Sequence, residues 1–315
     1  MKKLDSKFKI AVLAGGIGSE REVSLQSGKY VSQALKQTGV NVVFWDITPD
    51  RLDILEDKSI DVFFIALHGD FGEDGQLQQI LEDKSLVYTG SGPEASKRAF
   101  NKMIGKRAFA EAGVDTPRAI EFRGEDDFEQ LKTGQQQPGD KYVIKPITQG
   151  SSVGITIAEE MKEVFIEAQK CLGEFGDCMI EQFIPGREIT VGILCGKALP
   201  IIEVRPREKF YNYHAKYIDE QTQFLFDTIT DKQLADKITS AAFDCFGVLG
   251  LMDFGRIDFI LSSDEKIYVL EANTIPGLTT HSLLPKAAAK AGIPMSELCL
   301  RIIEVARQRK TAVTS

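Results

Sequence analysis

Four groups of residues have the types and spacing needed for chemistry. In Arg256-Ile257-Asp258 and Glu271-Ala272-Asn273, polar side chains recur every second residue. Extended backbone puts Arg256 and Asp258 on one face of a strand, and Glu271 and Asn273 on one face of the next. Ser262-Ser263-Asp264 reads as a hairpin turn between them, so the two faces meet across a ladder. Three hard oxygen donors beside an arginine suit magnesium bound to phosphates. Taken alone, the same residues also suit a solvated sheet edge with a cross-strand salt bridge.

The second group is Lys145-Pro146 followed by Gly150-Ser151-Ser152-Val153-Gly154. A lysine at a strand end, then a small-residue loop, offers a point charge, hydroxyls and backbone N–H groups to a triphosphate. An ordinary hairpin loop has the same composition, and no G-x-x-x-x-G-K-[ST] pattern occurs. The third group, Gly15-Gly16-Ile17-Gly18-Ser19-Glu20-Arg21-Glu22, follows a strand and opens a helix. It is not G-x-G-x-x-G, so a dinucleotide site is excluded. Ser19 with Glu22 reads as a capping box. Glu20 is either a ligand for a substrate ammonium or a favourable first-turn charge. Fourth, Phe210-Tyr211-Asn212-Tyr213-His214-Ala215-Lys216-Tyr217 lies in an aperiodic stretch, 205–227. Long loops of this kind in compact enzymes are often lids; surface stickiness is the other reading. His68 and His214 stand alone, and Glu181-Gln182-Phe183-Ile184 by itself is a core strand reaching an edge.

The elements that must position these groups follow from periodicity. Lys9–Leu13, Val40–Ile47 and Val62–Leu67 are apolar or β-branched runs, alternating with helical patterns over Val23–Gln37 and Asp74–Lys84. Such runs suit the centre of a parallel sheet, whose ligands sit at strand C-termini. Those ends are Gly15–Glu20 and His68-Gly69-Asp70. The cluster Thr89-Gly90-Ser91-Gly92-Pro93 is a candidate boundary. Beyond a Lys- and Ala-rich helix to about Ala112, strands are expected at Tyr142–Pro146, Val153–Ala158, Cys178–Ile184, Ile189–Leu194, Leu199–Val204, Gly255–Leu261 and Lys266–Glu271, with helices at Glu163–Leu172 and Lys232–Phe246 and two more at the end. The fold class is α/β followed by α+β.

Composition narrows the partners. A net charge of −8 without a dense basic stripe makes a poor nucleic-acid binder and argues against attachment to an anionic membrane. No apolar run reaches the length of a membrane span. After the basic start, the apolar run Ile10–Ala14 ends in glycines and reads as a first strand, not a signal peptide. Five scattered cysteines without a C-x-x-C pair fit buried thiols in a reducing cytoplasm, without disulfides or zinc.

Taken together and in order, the motifs resemble the ATP-grasp superfamily and, within it, the D-alanine–D-alanine ligase family. The resemblance rests on Gly15-Gly16 with Ser19–Leu25, Leu67-His68-Gly69 with Gly72–Gly75, Lys145-Pro146 with Gly150–Gly154, Tyr211 with Lys216-Tyr217, Gly255–Asp258, and Glu271–Thr274 with Pro276-Gly277 and Thr280–Leu283. It implies three subdomains, 1–98 (Rossmann-like), 99–185 and 186–315, with ATP between the second and third. It further implies that Lys102 and Lys145 contact phosphates together with Ser151 and Ser152, and that Glu181, Phe183, Ile184 and Glu188 line the adenine and ribose pocket. Asp258, Glu271 and Asn273 would hold two magnesium or manganese ions. Glu20, with Ser151, Tyr217 and nearby His68, would bind the first D-alanine. Arg256 and the Gly277 N–H would stabilise an oxyanion, and Lys216, Ser282 and Leu283 would take the second D-alanine. A homodimer is implied as well. Asn212 stands where the family pattern has Asp, and Ile275 replaces a more usual residue. Lys216-Tyr217 favours D-alanine over D-lactate as acceptor. A non-catalytic amino-acid-binding protein is the reading from another class.

Overall fold

The computed structural model describes residues 7–133, 141–206 and 222–313. The first sheet is parallel, with β1 (Lys9–Gly15) between β2 (Asn41–Ile47) and β3 (Val62–Ile65). Ile10 to Ala14 are fully buried, as expected of a central strand covered on both faces. Helix α1 (Arg21–Lys36) lies against β1, and α2 (Gln76–Asp83) follows β3. The α1 contact is close because Gly28 has no side chain: a Cβ there would sit 2.4 Å from the Ala14 Cβ.

Pro93 opens α3 (Pro93–Phe100), and Asn101 caps α4 (Lys102–Glu111) by accepting from the Ile104 N–H at 3.0 Å. The second sheet is antiparallel. Its strands β4 (Ala119–Glu121), β5 (Tyr142–Lys145), β6 (Thr156–Ala158) and β7 (Met179–Gln182) run in the order β4-β7-β5-β6. Helices α5 (Glu125–Thr133) and α6 (Met161–Phe175) accompany it, burying Phe122, Phe128, Ile144 and Val164 in a separate core.

The third sheet comprises β8 (Gly186–Leu194), β9 (Lys197–Ala198), β10 (Ile202–Arg205), β11 (Gln223–Phe226), β12 (Phe254–Ser262) and β13 (Ile267–Asn273), in the order β11-β10-β8-β12-β13 with β9 paired to β8. Helix α7 (Lys232–Leu249) packs on it. The last helices, α8 (Leu283–Lys290) and α9 (Met295–Val313), turn back instead. Leu284, Leu298 and Ile302 share the core of β1–β3.

Three local expectations change. The Ser19/Glu22 capping box does not form: Glu20 occupies the N-cap position without a side-chain cap, because its carboxylate is engaged elsewhere. The strand expected over Val153–Ala158 begins only at Thr156, because Ser151, Ser152 and Gly154 all have φ between 54° and 71°, which turns the chain. Within 205–227, residues 223–226 form β11, while Tyr211, Asn212, His214, Lys216 and Tyr217 lie outside the described residues. Among the described residues no helix is long and apolar enough to cross a membrane, and all five cysteines are free.

Candidate active site

Between the second and third sheets lies a cavity of about 510 Å³. β5 ends on Lys145 and β7 carries Glu181, one wall of this space. The Lys145 Nζ sits 2.5 Å from Glu181 Oε2, and both groups are buried. Burial pushes the Glu181 carboxyl up, but Lys145 and Lys106 outweigh it and hold the group below the usual carboxylate range. Phe183 and Ile184 supply half-buried apolar wall, and Glu188 and Ser152 also line the space. Lys102, first residue of α4, donates to the Gln149 carbonyl at 2.5 Å and lies 3.8 Å from Glu271. The floor comes from β12 and β13, where Asp258 pairs directly with Glu271 and Arg256 with Asn273. Arg256 grips Asp258 with two hydrogen bonds, 2.8 and 2.7 Å, and the Asn273 amide donates to Asp258 Oδ2 at 3.0 Å.

A smaller cavity of about 70 Å³ adjoins the other side of Arg256 and Asn273. Glu20 lies in it, and its carboxylate accepts a hydrogen bond from the Ser151 hydroxyl. It fits only because two neighbours lack side chains: a Cβ on Gly150 would sit 2.4 Å from Glu20 Oε2, and one on Gly69 would sit 2.8 Å away. His68 is buried and donates from Nδ1 to the Ile275 carbonyl at 3.0 Å. Burial lowers it to about 4, so Nε2 carries no proton and accepts from the Ser27 hydroxyl at 2.9 Å. Gly277, Ser282 and Leu283 form the far wall, where Ser282 Oγ accepts from the Thr279 N–H at 3.0 Å.

Family models described as D-ala D-ala ligase N-terminus and D-ala D-ala ligase C-terminus match residues 52–91 and 109–304. A D-alanine–D-alanine ligase of Syntrophotalea carbinolica is 41% identical over 303 residues, covering 96% of this chain and 97% of that one. The chain belongs to the D-alanine–D-alanine ligase family. The ligase of Methylacidiphilum infernorum is 39% identical over 301 residues, covering 95% and 96%. Among solved structures, the D-alanine–D-alanine ligase of Bacillus anthracis complexed with ATP superposes with a TM-score of 0.84 at 31% identity, over 97% of this chain and 99% of that one. The VanG D-Ala:D-Ser ligase of Enterococcus faecalis gives 0.82 at 25%, over 95% and 99%. The fold is therefore ATP-grasp.

In this member of the D-alanine–D-alanine ligase family, the expected site residues divide between two adjoining spaces. Lys102, Lys145, Ser152, Glu181, Phe183, Ile184, Glu188, Asp258 and Glu271 line the large cavity; Glu20, His68, Ser151, Arg256, Asn273, Gly277, Ser282 and Leu283 line the small one. Lys216 and Tyr217 lie outside the described residues. No three acidic, histidine or cysteine side chains cluster as a metal cage among the described residues. Two carboxylates and an amide carbonyl on facing strands nonetheless fit a hard cation whose remaining ligands are phosphate oxygens.

Two residues of this neighbourhood had no role assigned in the motif reading. Glu73 lines the small cavity, accepting from the Gly69 N–H at 2.9 Å and the Ile275 N–H at 3.3 Å. Burial, reinforced by Glu20, holds its carboxyl well above the usual range. Its signal was its place inside Gly72-Glu73-Asp74-Gly75. Lys106 pairs with Glu181; its signal was helical spacing, one turn after Lys102 on the same face.

Proposed function

We propose that this protein joins two D-alanine molecules at the expense of ATP, making D-alanyl-D-alanine for peptidoglycan precursors. The observation that carries the reading is the seam between the cavities. Arg256 and Asn273 face the small one, Asp258 and Glu271 the large one, and the Arg256–Asp258 pair joins them. A carboxylate held at Arg256 would thus meet a phosphoryl group held at Lys145.

The donor D-alanine would place its ammonium on Glu20, oriented by Ser151, and its carboxylate against Arg256. That carboxylate attacks the γ-phosphorus, the bond to ADP breaks, and an acyl phosphate forms. A second D-alanine, amine deprotonated, attacks the acyl carbon; phosphate then leaves from the tetrahedral intermediate. Arg256 and the Gly277 N–H stabilise the oxyanion. Ser282, with Lys216, holds the second carboxylate, and Leu283 packs on its methyl group. Tyr217 would help keep water from the acyl phosphate. Lys102, Lys145 and the loop at Ser151 and Ser152 hold the phosphates; Glu181, Phe183, Ile184 and Glu188 hold adenine and ribose. Magnesium or manganese, held by Asp258, Glu271 and Asn273, would neutralise phosphate charge when bound.

The test is phosphate release with ATP, magnesium and D-alanine, with the product weighed by mass spectrometry. Magnesium-dependent dipeptide supports the reading; ATP binding without turnover would leave a binding protein. Parallel reactions with D-serine and D-lactate fix the acceptor. A cytoplasmic homodimer completes the reading, and sedimentation tests the assembly.

A further inference from the structure

Behind Glu181, away from the nucleotide cavity, stands Lys106 of α4. Its ammonium is buried, forms an ion pair with Glu181 Oε1, and donates to Thr116 Oγ1 at 2.7 Å and the Pro117 carbonyl at 2.9 Å. Two of its three N–H donors serve Thr116 and Pro117, and Glu181 is held beside it as an ion pair. Thr116 in turn donates to the Val269 carbonyl at 2.9 Å, which anchors this ammonium to β13, the strand bearing Glu271. Lys106 does not line the cavity, whereas Glu181 and Lys145 do.

The arrangement answers a problem that Lys145 poses. Its ammonium pairs with Glu181. Turning toward a phosphate takes that cation from Glu181, and a buried carboxylate left without a cation is strongly unfavourable. A second lysine on the other oxygen removes the penalty, because Glu181 keeps an ion pair in both states. The dependence runs both ways. Burial lowers Lys106, Glu181 raises it, and Lys145 lowers it again, leaving it at about 8. Its charge at neutral pH thus relies on Glu181.

We propose that Lys106 is a positioning residue for ATP: by holding the charge of Glu181 it releases Lys145 to the phosphates. The inference rests on the ATP-binding reading above. Binding of magnesium-ATP is measured by calorimetry on the full chain, with steady-state kinetics alongside. Replacing Lys106 by Met should weaken ATP binding and raise its KM at least about ten-fold, with kcat at saturating ATP within about two-fold, because only binding needs the exchange. Lys106→Arg, which keeps the charge, should recover most of the affinity. In a Glu181→Gln background, Lys106→Met should cost nothing further, since no carboxylate remains to be orphaned. Wild-type affinity in Lys106→Met overturns the proposal, as does a ten-fold loss added on top of Glu181→Gln. Should Lys106→Met fail to fold by thermal melt, the Glu181→Gln pair, with and without Lys106→Met, carries the same decision. Absence of ATP binding in the unmodified protein sinks the parent reading instead.

Discussion

The two adjoining cavities solve opposite electrostatic problems with different materials. On the proposed reading the large one holds polyanionic phosphate, and its buried lysines have their charge balanced by carboxylates on neighbouring strands: Lys145 on Glu181, and Lys102 near Glu271. Side chain balances side chain, and in the proposed exchange these pairs change partners when a ligand arrives. On the same reading the small cavity holds an ammonium. Its carboxylates are fixed by short groups: Glu20 by the Ser151 hydroxyl and two glycine backbones, Glu73 by two backbone N–H groups. Backbone donors are fixed by the chain and a serine hydroxyl has a short reach, so this site has less room to rearrange than the nucleotide site. Long charged side chains tolerate a change of partner; glycine-lined carboxylates tolerate almost no change of shape.

Removing the residue that ties the two regions together should break the comparison most completely. Arg256→Ala strips one oxyanion donor and leaves Asp258 without its two-pronged partner. Phosphate release at saturating substrates should fall about a thousand-fold. Arg256→Lys should recover only part, because an ammonium cannot make the paired contact. A variant retaining a tenth of the activity would remove Arg256 from the seam.

The rigid region should also show in stability against pH. His68 lies at about 4 when folded, against an ordinary 6.5. The unfolded chain therefore binds the proton first as pH falls, and stability drops through this window. From this group alone the loss is about 2 kcal/mol at pH 5 and about 3 kcal/mol at pH 4, relative to pH 7. Denaturant unfolding at these pH values should show that slope flattened in His68→Gln. An equally steep slope in the variant would mean that other groups carry it.

How much of this contrast was readable beforehand depends on range. The Arg256–Asp258 and Glu271–Asn273 faces follow from period-2 alternation across one short turn, and the register pairs them as expected. The Glu20 and His68 signatures were readable because each sits just after a strand of the parallel sheet. Lys106 was not, since its role depends on α4 meeting β7, strands and helices remote in sequence. The same holds for α8 and α9, whose apolar faces say nothing about which core receives them. Ser19 and Glu22 show the converse error. The local pattern favours a cap, but the helix start is set by where the Glu20 carboxylate points, toward a serine of another sheet's loop.

A gentler test of shape intolerance is Gly150→Ala. The added methyl would overlap Glu20 Oε2 at 2.4 Å, and the carboxylate must move. The KM for donor D-alanine should rise about ten- to a hundred-fold, as for a misplaced binding group. ATP affinity should hold, because the phosphate-side contacts of Lys102 and Lys145 are untouched. Equal losses for both substrates would show that the two cavities do not respond separately.

The smallest effect is expected where the nucleotide region does borrow a rigid device. The loop after Lys145 is held from behind by Asp177, whose carboxylate accepts from the Ile147 N–H at 2.8 Å and the Thr148 hydroxyl at 2.6 Å. Ile147 also accepts from the Lys102 N–H at 3.1 Å, so one carboxylate steadies the start of both phosphate-side segments. Asp177→Asn keeps one acceptor oxygen but turns an amide toward the other donor. Losing one hydrogen bond to a charged acceptor, in a loop able to shift, should raise the KM for ATP about five-fold and leave donor D-alanine binding unchanged. Thr148→Val removes one of the two donors without touching the Ile147 bond, and should give a smaller rise in the same direction. If Asp177→Asn instead weakened D-alanine and spared ATP, the loop would serve the small cavity through Ser151, and the division between an exchangeable and a rigid region would have to be redrawn at residue 150.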